Sequence, residues 1–163
     1  SSDLENQNAF DPNYRSSVRV AKTPKRHFID PSLAVAALGL SKEMLKNDLE
    51  YFGFLFESLV IRDLKIYADS IGGKVYHYKH HDTNHELDAV IELEDGRWIA
   101  VEIKLGANQI DNAAKGLLKV KKYFDEKENT SKPSALVVIC GLTNASYKRD
   151  DGVMVVGINS LRP

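Results

Sequence analysis

The sequence predicts an α/β protein with a central mixed sheet flanked by helices, and three observations lead to this prediction. A helical pattern extends to about residue 69, three strand-like segments follow between residues 74 and 104, and a second helical pattern spans about 108–127. The apolar run at 135–140 has the length and composition of a strand that is buried on both faces. We therefore expect the order helix, three strands, helix, strand, strand.

The composition suits a single domain and excludes several classes of protein. The chain has 163 residues and a net charge of −1, so it offers no overall positive field to nucleic acid, and any such binding would rest on a local patch. A single cysteine, Cys140, excludes an internal disulfide and fits a reducing cytoplasm. We expect Cys140 to pack in the core. No apolar stretch is long enough for a membrane span, and no secretory pattern is present. We therefore expect a cytoplasmic protein without a membrane partner.

The N-terminal region is polar and shows no periodicity. We interpret residues 1–22 as a linker or disordered tail, and residues 23–163 as the folded domain. Residues 22–27 form a small basic cluster, which is either a solvated start of a short extended segment or a contact for phosphate. A short helix is expected that is capped by Asp30 or Ser32 and ends at Gly39, and Ser41 is the expected start of the next helix.

The helix that follows is apolar nearly all round between Tyr51 and Tyr67, which predicts a helix within the core. Gly53 marks an expected kink or break. Glu57 lies on the same side as Gly53 at helical spacing, where a lone carboxylate would be unfavourable without a partner. Two interpretations of Glu57 stay open: its side chain reaches solvent at the edge of the helix, or it joins the acidic side chains of the hairpin described next.

Residues 86–104 have the signature of a β-hairpin, because two apolar runs flank an Asp-Gly turn. A loop of Glu94, Asp95 and Gly96, with Gly96 in the left-handed conformation, places Asp88 opposite Glu102. A two-residue loop would place Asp88 opposite Ile103 instead. Only the three-residue loop separates the side chains cleanly. It predicts one apolar face of Leu87, Ala89, Ile91, Leu93, Ile99, Val101 and Ile103, and a second face that carries Glu86, Asp88, Glu92, Trp98, Glu102 and Lys104.

Neighbouring carboxylates of Asp88 and Glu102 suit a hard cation, either Mg²⁺ or Mn²⁺. Such an ion polarises a phosphodiester and lowers the pKa of a bound water. Lys104 shares the face of Glu102, because the two residues are two apart on a strand, and it could orient that water or offset charge on the phosphate. Glu57 could complete the ligand set or act through a water. The competing interpretation is a surface ion pair without chemistry.

Two further groups of residues invite a function. The loop with His80, His81 and His85 suggests zinc, but it has neither a cysteine partner nor a helical histidine pair. We interpret it as a surface loop with a lesser role in contacting substrate. The helix at 108–127 carries Lys115, Lys119 and Lys122 on or near its exposed side, which is either a solvated face or part of a groove for a nucleic-acid backbone.

The acid Asp88, followed on the next strand by Glu102, Ile103 and Lys104, resembles the PD-(D/E)xK nuclease superfamily. Leu87 stands where the motif name has proline. The resemblance implies a restriction-endonuclease-like α-β-β-β-α-β core. It also implies a catalytic set of Asp88, Glu102, Lys104 and Glu57, with Asp88, Glu102 and Glu57 as metal ligands. Gln109 is the candidate for a glutamine that some members carry on the following helix.

A closer resemblance covers about residues 24–158. The segments 25–33, 53–60 and 86–90 are similar to the C-terminal domain of unknown function on bacterial and archaeal AAA-type ATPases. The chain has no Gly-x-x-x-x-Gly-Lys-Ser/Thr loop, so the resemblance implies the nuclease-like C-terminal part of a longer ATPase, with the ATPase module as one partner. Two functions stay open. One is a Mg²⁺-dependent nuclease acting on DNA or RNA, and the other is a non-catalytic module that binds nucleic acid or protein and regulates the ATPase.

Overall fold

The computed structural model describes residues 4–11, 24–28, 41, 43 and 47–161. The predicted short helix that ends at Gly39 lies outside these residues. Within them the chain forms a mixed α/β fold with a six-stranded mixed sheet, as the sequence predicts. The elements are β1 Leu4–Gln7, β2 Lys25–Phe28, α1 Leu49–Ser70, β3 Lys74–Lys79, β4 Glu86–Glu92, β5 Trp98–Lys104, α2 Ile110–Asp125, β6 Ala135–Cys140, β7 Tyr147–Lys148 and β8 Met154–Gly157.

The large sheet has the strand order β3-β4-β5-β6-β8-β7. The neighbours β3, β4 and β5 are antiparallel, β6 is parallel to both β5 and β8, and β7 is antiparallel to β8. Helix α1 packs mainly on β3–β5, whereas α2 packs on β5 and β6. Ala100 and Val101, which are successive residues of β5, belong to different hydrophobic clusters, so the two helices cover opposite faces of the sheet.

Helix α1 begins later than the sequence pattern suggests and buries only one face. Its start at Leu49 is fixed by Asp48, whose side chain accepts a hydrogen bond from the Tyr51 amide. The helix continues through Gly53 without a break. The prediction of a helix within the core is wrong, because the sheet covers one side and leaves Ile66 62% exposed. The buried residues are Leu55, Ser58, Val60, Ile61, Leu64 and Ala68.

The hairpin of β4 and β5 has the predicted loop and register. Gly96 adopts a left-handed conformation with φ of 84°. The Leu93 amide donates to the Arg97 carbonyl at 2.8 Å and closes the three-residue loop. The ladder runs from Glu92 opposite Trp98 to Ala89 opposite Val101, and Asp88 and Glu102 are the residues that follow this last pair on their strands. The predicted loop and register are therefore confirmed over the four pairs of the ladder.

A β-bulge in β4 changes which residues share a face. Asp88 and Ala89 together lie opposite His77, a single residue of β3. Because the bulge interrupts the alternation of side chains, Leu87 packs in the cluster of Trp98 and not in that of Ala89. The prediction of a common apolar face is wrong for Leu87. The face of Trp98 is also buried, since α2 covers it.

The segment 4–11 packs against the edge of the sheet beside the bulge. Strand β1 pairs with β2 in a separate antiparallel ribbon. The Phe10 amide donates to the His77 carbonyl at 2.6 Å, and the His77 amide donates to the Asn8 carbonyl at 2.8 Å. Phe10 is 1% exposed, and its ring centroid lies 4.8 Å from that of Trp98.

These contacts correct the interpretation of residues 1–22 as a linker or disordered tail, at least over residues 4–11. The segment satisfies backbone groups of an edge strand and covers core side chains, which its polar composition does not suggest. Residues 1–3 and 12–22 lie outside the described part of the chain.

Most predictions for the C-terminal half are confirmed. Cys140 is fully buried. Lys121 is exposed and forms an ion pair with Asp125 one turn away, so it lies outside the buried stripe of α2. The connection between β6 and β8 contains the short strand β7. In the described part of the chain, no helix is both long and apolar enough to cross a membrane. The buried stripe of α2 is Ile110, Ala113, Ala114, Leu117, Val120 and Phe124.

Candidate functional site

The candidate site forms where β4 and β5 separate beyond the pair Ala89–Val101. Two residues beyond Val101 on β5, the Ile103 amide donates a hydrogen bond at 2.8 Å to Oδ2 of the Asp88 side chain. The carboxylate of Asp88 is therefore held against β5 by a backbone donor. Its position depends on the fold of the sheet and not on a flexible surface rotamer.

Glu102 contacts Asp88 across the two strands, as the hairpin register predicts. Burial raises the pKa of Glu102 to about 10, and the charge of Asp88 and a side-chain hydrogen bond to it act in the same direction, while Lys104 opposes them. At neutral pH the carboxyl group of Glu102 therefore keeps its proton and donates it in a hydrogen bond to Asp88. Two neighbouring carboxyl groups repel each other when both are ionised, and their protonation is therefore coupled. One proton, or a bound cation, removes this repulsion.

Lys104 completes the predicted group. Its Nζ lies 3.9 Å from Oε2 of Glu102, and 34% of its side chain is exposed, compared with 13% for Glu102. Lys104 lines a cleft together with Asp88, whereas Glu102 lies deeper. The three side chains Asp88, Glu102 and Lys104 are therefore brought together as predicted, with the lysine on the accessible side.

Glu57 also faces this cleft, so the interpretation that it reaches solvent at a helix edge is wrong. Its side chain is 16% exposed and forms an ion pair and hydrogen bond with Lys25 of β2. Burial raises the pKa of Glu57, and the charge of Asp88 raises it further, while Lys25 lowers it. The sequence pattern anticipates the position of Glu57 but not its pairing with Lys25.

The cleft has a volume of about 480 Å³ and opens at the carboxyl ends of β5 and β6. Ligands of open α/β sheets bind outside the carboxyl ends of their strands. Gln109, the weakest of the candidate residues, also lines the cleft, and its Oε1 accepts a hydrogen bond from the Gly106 amide at 3.1 Å. The position of the cleft therefore fits a binding site.

Two residues of the N-terminal ribbon belong to the surroundings of the site and were missed by sequence reasoning. Gln7 is fully buried, and its Nε2 donates to the backbone carbonyls of Tyr76 at 2.9 Å and Asp88 at 3.0 Å. No signal in the sequence identifies Gln7. Lys25 lies in the basic cluster at 22–27, but nothing distinguishes it there from its neighbours.

The carboxylates of the site meet part of the needs of a divalent cation. Among the described residues, no three side chains of His, Cys, Asp or Glu converge to form a complete metal site. Mg²⁺, however, is usually bound by one or two carboxylates, with waters and substrate phosphate as its other ligands. Asp88 and Glu102 meet this requirement, since they are two hydrogen-bonded carboxyl groups, and a cation would displace the proton of Glu102.

The histidines lie in a separate place. The ring of His80 contacts Tyr123, with 3.2 Å between Nε2 and the phenol oxygen, and the ring of His85 packs edge-on against Tyr123 at 5.2 Å. Burial lowers the pKa of His85, and His80 and Lys119 lower it further. None of these rings lines the acidic cleft. On α2 the side chains of Lys115, Lys119 and Lys122 are exposed.

Comparison with family models gives one match, which covers residues 52–161 and is described as Domain of unknown function (DUF4143). The chain belongs to this family. The DUF4143 match includes Glu57, Asp88, Glu102 and Lys104, and it leaves Gln7 and Lys25 outside. The comparisons with curated proteins and with solved structures gave no match. The expected resemblance to an uncharacterised domain is thus confirmed at the level of the family.

Proposed function

We propose that this DUF4143 chain is a metal-dependent nuclease of the PD-(D/E)xK type, which hydrolyses phosphodiester bonds of DNA or RNA and serves as the C-terminal domain of an AAA-type ATPase. The observation that carries the proposal is the acid pair of Asp88 and Glu102, which lies beside Lys104 at the edge of a cleft. Perturbed acids grouped in a cleft are typical of functional sites.

Asp88 and Glu102 are the proposed ligands of one Mg²⁺ or Mn²⁺. A bound ion supplies polarisation of the phosphodiester and a water of lowered pKa. The hydrogen bond from the Ile103 amide keeps the Asp88 carboxylate oriented before any ion binds. Glu57 faces the same cleft and is placed to act through a water.

Lys104 is the proposed contact for the scissile phosphate. Its side chain is more exposed than that of Glu102. Asn108 and Gln109, in the 3-10 turn that precedes α2, line the same cleft. Backbone amides at the start of a helix favour an anion. Both features favour a phosphate at this end of the sheet, with Lys104 offsetting the charge that develops during hydrolysis.

The order of the elements supports the same proposal. Helix α1 is followed by three antiparallel strands, by α2 and by β6 parallel to β5, which is the α-β-β-β-α-β order of the restriction-endonuclease-like core. This support is an analogy of fold, and fold alone does not establish chemistry. The proposal therefore depends on Asp88, Glu102 and Lys104.

A second candidate function is a non-catalytic module that binds nucleic acid or protein and regulates the ATPase. It is favoured by the fact that two acids of the site already have partners within the protein. Glu102 is hydrogen-bonded to Asp88, and Glu57 is paired with Lys25. A binding module of this kind would need neither a divalent ion nor Lys104 in reach of a phosphate.

The test is a cleavage assay with labelled single-stranded and double-stranded DNA and RNA, in Mg²⁺, in Mn²⁺ and in EDTA. We expect cleavage that requires the divalent ion. Asp88→Asn and Lys104→Met should each lower the rate by about 10²–10³-fold, because each removes a charge from the reacting centre. Lys148→Met, at an exposed position on β7, is the matched control and should retain the wild-type rate.

Two results would contradict a nuclease. One is the absence of cleavage with all four substrates in both ions. The other is cleavage that persists in Asp88→Asn and Lys104→Met, which would identify a contaminant. Binding of a substrate without cleavage, unaffected by EDTA, would support the regulatory module.

A further inference from the structure

Lys25 lies inside the acidic cluster, although it comes from a different element than the acids. It belongs to β2, and its ammonium group contacts Oε1 of Glu57 on α1. The side chains of Lys25 and Glu57 are only 27% and 16% exposed. This ion pair is therefore largely shielded from solvent, unlike the exposed pairs that contribute little to a structure.

The surroundings of Lys25 are strongly negative. Burial lowers its pKa, but the charge of Glu57, the hydrogen bond to it and the charges of Asp88 and Glu86 outweigh burial, and the pKa of Lys25 is raised. Lys25 therefore stays cationic. It is a positive charge that the carboxylates of Glu57, Asp88 and Glu86 all attract.

The N-terminal ribbon fixes Lys25 relative to Asp88. Lys25 is the cross-strand partner of Gln7, and the side chain of Gln7 donates to the backbone carbonyl of Asp88 at 3.0 Å. One side of the ribbon is thus tied to β4, next to the first acid, and the other side delivers the ammonium group to Glu57. This arrangement holds the lysine at the site through backbone pairing.

We propose that the site binds one divalent ion and that Lys25 takes the place of a second. This inference rests on the proposed function. In two-ion nuclease chemistry the cations lie about 3.5–4 Å apart and each needs carboxylate ligands. Asp88 and Glu102 serve one ion. Of the other acids that line the cleft, Glu50 is exposed and Glu57 is bound to Lys25. Because Lys25 is bound to Glu57, that carboxylate is a positioning group for the lysine and not a metal ligand.

The test counts ions by isothermal titration with MnCl₂ at pH 8 on the full chain. The wild type should bind one Mn²⁺ per chain. Lys25→Met removes the ammonium but keeps most of the side-chain stem, and it should allow a second, weaker ion to bind. Lys25→Arg retains the charge and should still bind one. In Lys25→Met combined with Glu57→Gln, the count should return to one.

Glu57→Gln alone provides a measurement that does not depend on changing the ribbon. We expect the affinity for the first ion to stay within about threefold of the wild-type value, whereas loss of a true ligand would weaken it by at least about tenfold. The inference is overturned if the wild type binds two ions, if Lys25→Met still binds one, or if Glu57→Gln weakens the first ion tenfold. A wild type that binds no Mn²⁺ would instead overturn the metal-dependent function itself.

Discussion

The side chain of Gln7 lies 3.0 Å from the backbone carbonyl oxygen of Asp88 and donates a hydrogen bond to it across 81 positions of the chain. The same Nε2 also donates to the carbonyl of Tyr76 at 2.9 Å. The β-bulge opposite His77 interrupts the ladder here, and the amide of Gln7 supplies donors to carbonyls on both sides of it. The N-terminal segment is therefore part of the structure that holds Asp88.

Gln7→Met should destabilise the fold by about 1–3 kcal/mol, because it removes the donors of two carbonyls while keeping the volume of the side chain. Asn8→Ala is the matched control. Its side chain is exposed, and its backbone carbonyl, which accepts from the His77 amide, is retained. Urea unfolding followed by the fluorescence of Trp98 checks both variants. A Gln7→Met protein as stable as the wild type would show that the contact does not hold the segment.

Glu102→Gln should stabilise the metal-free protein at neutral and alkaline pH. Burial, with the charge of Asp88 and the hydrogen bond to it, raises the pKa of Glu102 from 4.5 in the unfolded chain to about 10 in the folded protein. The folded state therefore retains a proton that the unfolded chain releases. The free energy of unfolding therefore contains a contribution from Glu102 that is fully present below pH 4.5. This contribution is lost progressively as the pH rises towards 10.

Glutamine is neutral at every pH and can still donate to Asp88, so the variant should lack this loss. We expect a gain of roughly 1–3 kcal/mol by about pH 8, measured by urea unfolding in EDTA from acid to alkaline pH. Glu126→Gln, at an exposed position after α2, should leave the pH profile of the wild type unchanged. Parallel profiles for wild type and Glu102→Gln would contradict the retention of a proton by Glu102 in the folded protein.

Gly96→Ala should destabilise the hairpin that positions the acids by about 1 kcal/mol, because Gly96 has φ of 84° and an L side chain is strained there. Gly116→Ala is the contrasting variant. It lies within α2, an added Cβ meets no atom within 4 Å, and alanine is a better helix former, so stability should rise by about 0.5–1 kcal/mol. Thermal unfolding measures the stability of both variants. An equal change in stability for Gly96→Ala and Gly116→Ala would contradict the left-handed conformation of Gly96.

The sequence predicts the hairpin well because the information is local. The alternation of side chains and the Asp95–Gly96 turn leave one register that buries the apolar residues, and that register brings Asp88 to Glu102. The stripe of α2 is predicted for the same reason, since its period alone places residues such as Leu117 on the buried side. Lys104 follows from the spacing of two along a strand.

The features that the sequence does not predict depend on contacts between residues that are distant along the chain. The bulge at Asp88 and Ala89 arises where His77 bonds to the N-terminal segment, and no periodicity within β4 encodes it. Gln7 and Lys25 act through a ribbon of two four-residue strands in polar sequence, which lacks a hydrophobic pattern. The polar composition of that segment therefore conceals its buried side chains.

The central claim is that Asp88 and Glu102 together bind a divalent ion, and the affinity of Asp88→Asn for Mn²⁺ tests it most directly. Asparagine keeps the shape of the side chain and an oxygen to accept the Ile103 amide, so the change removes the charge while retaining that contact. By isothermal titration, the wild type should bind Mn²⁺ at a saturable site, and Asp88→Asn should bind it at least about tenfold more weakly. Equal affinity in the two proteins, or no binding by the wild type, would contradict the claim.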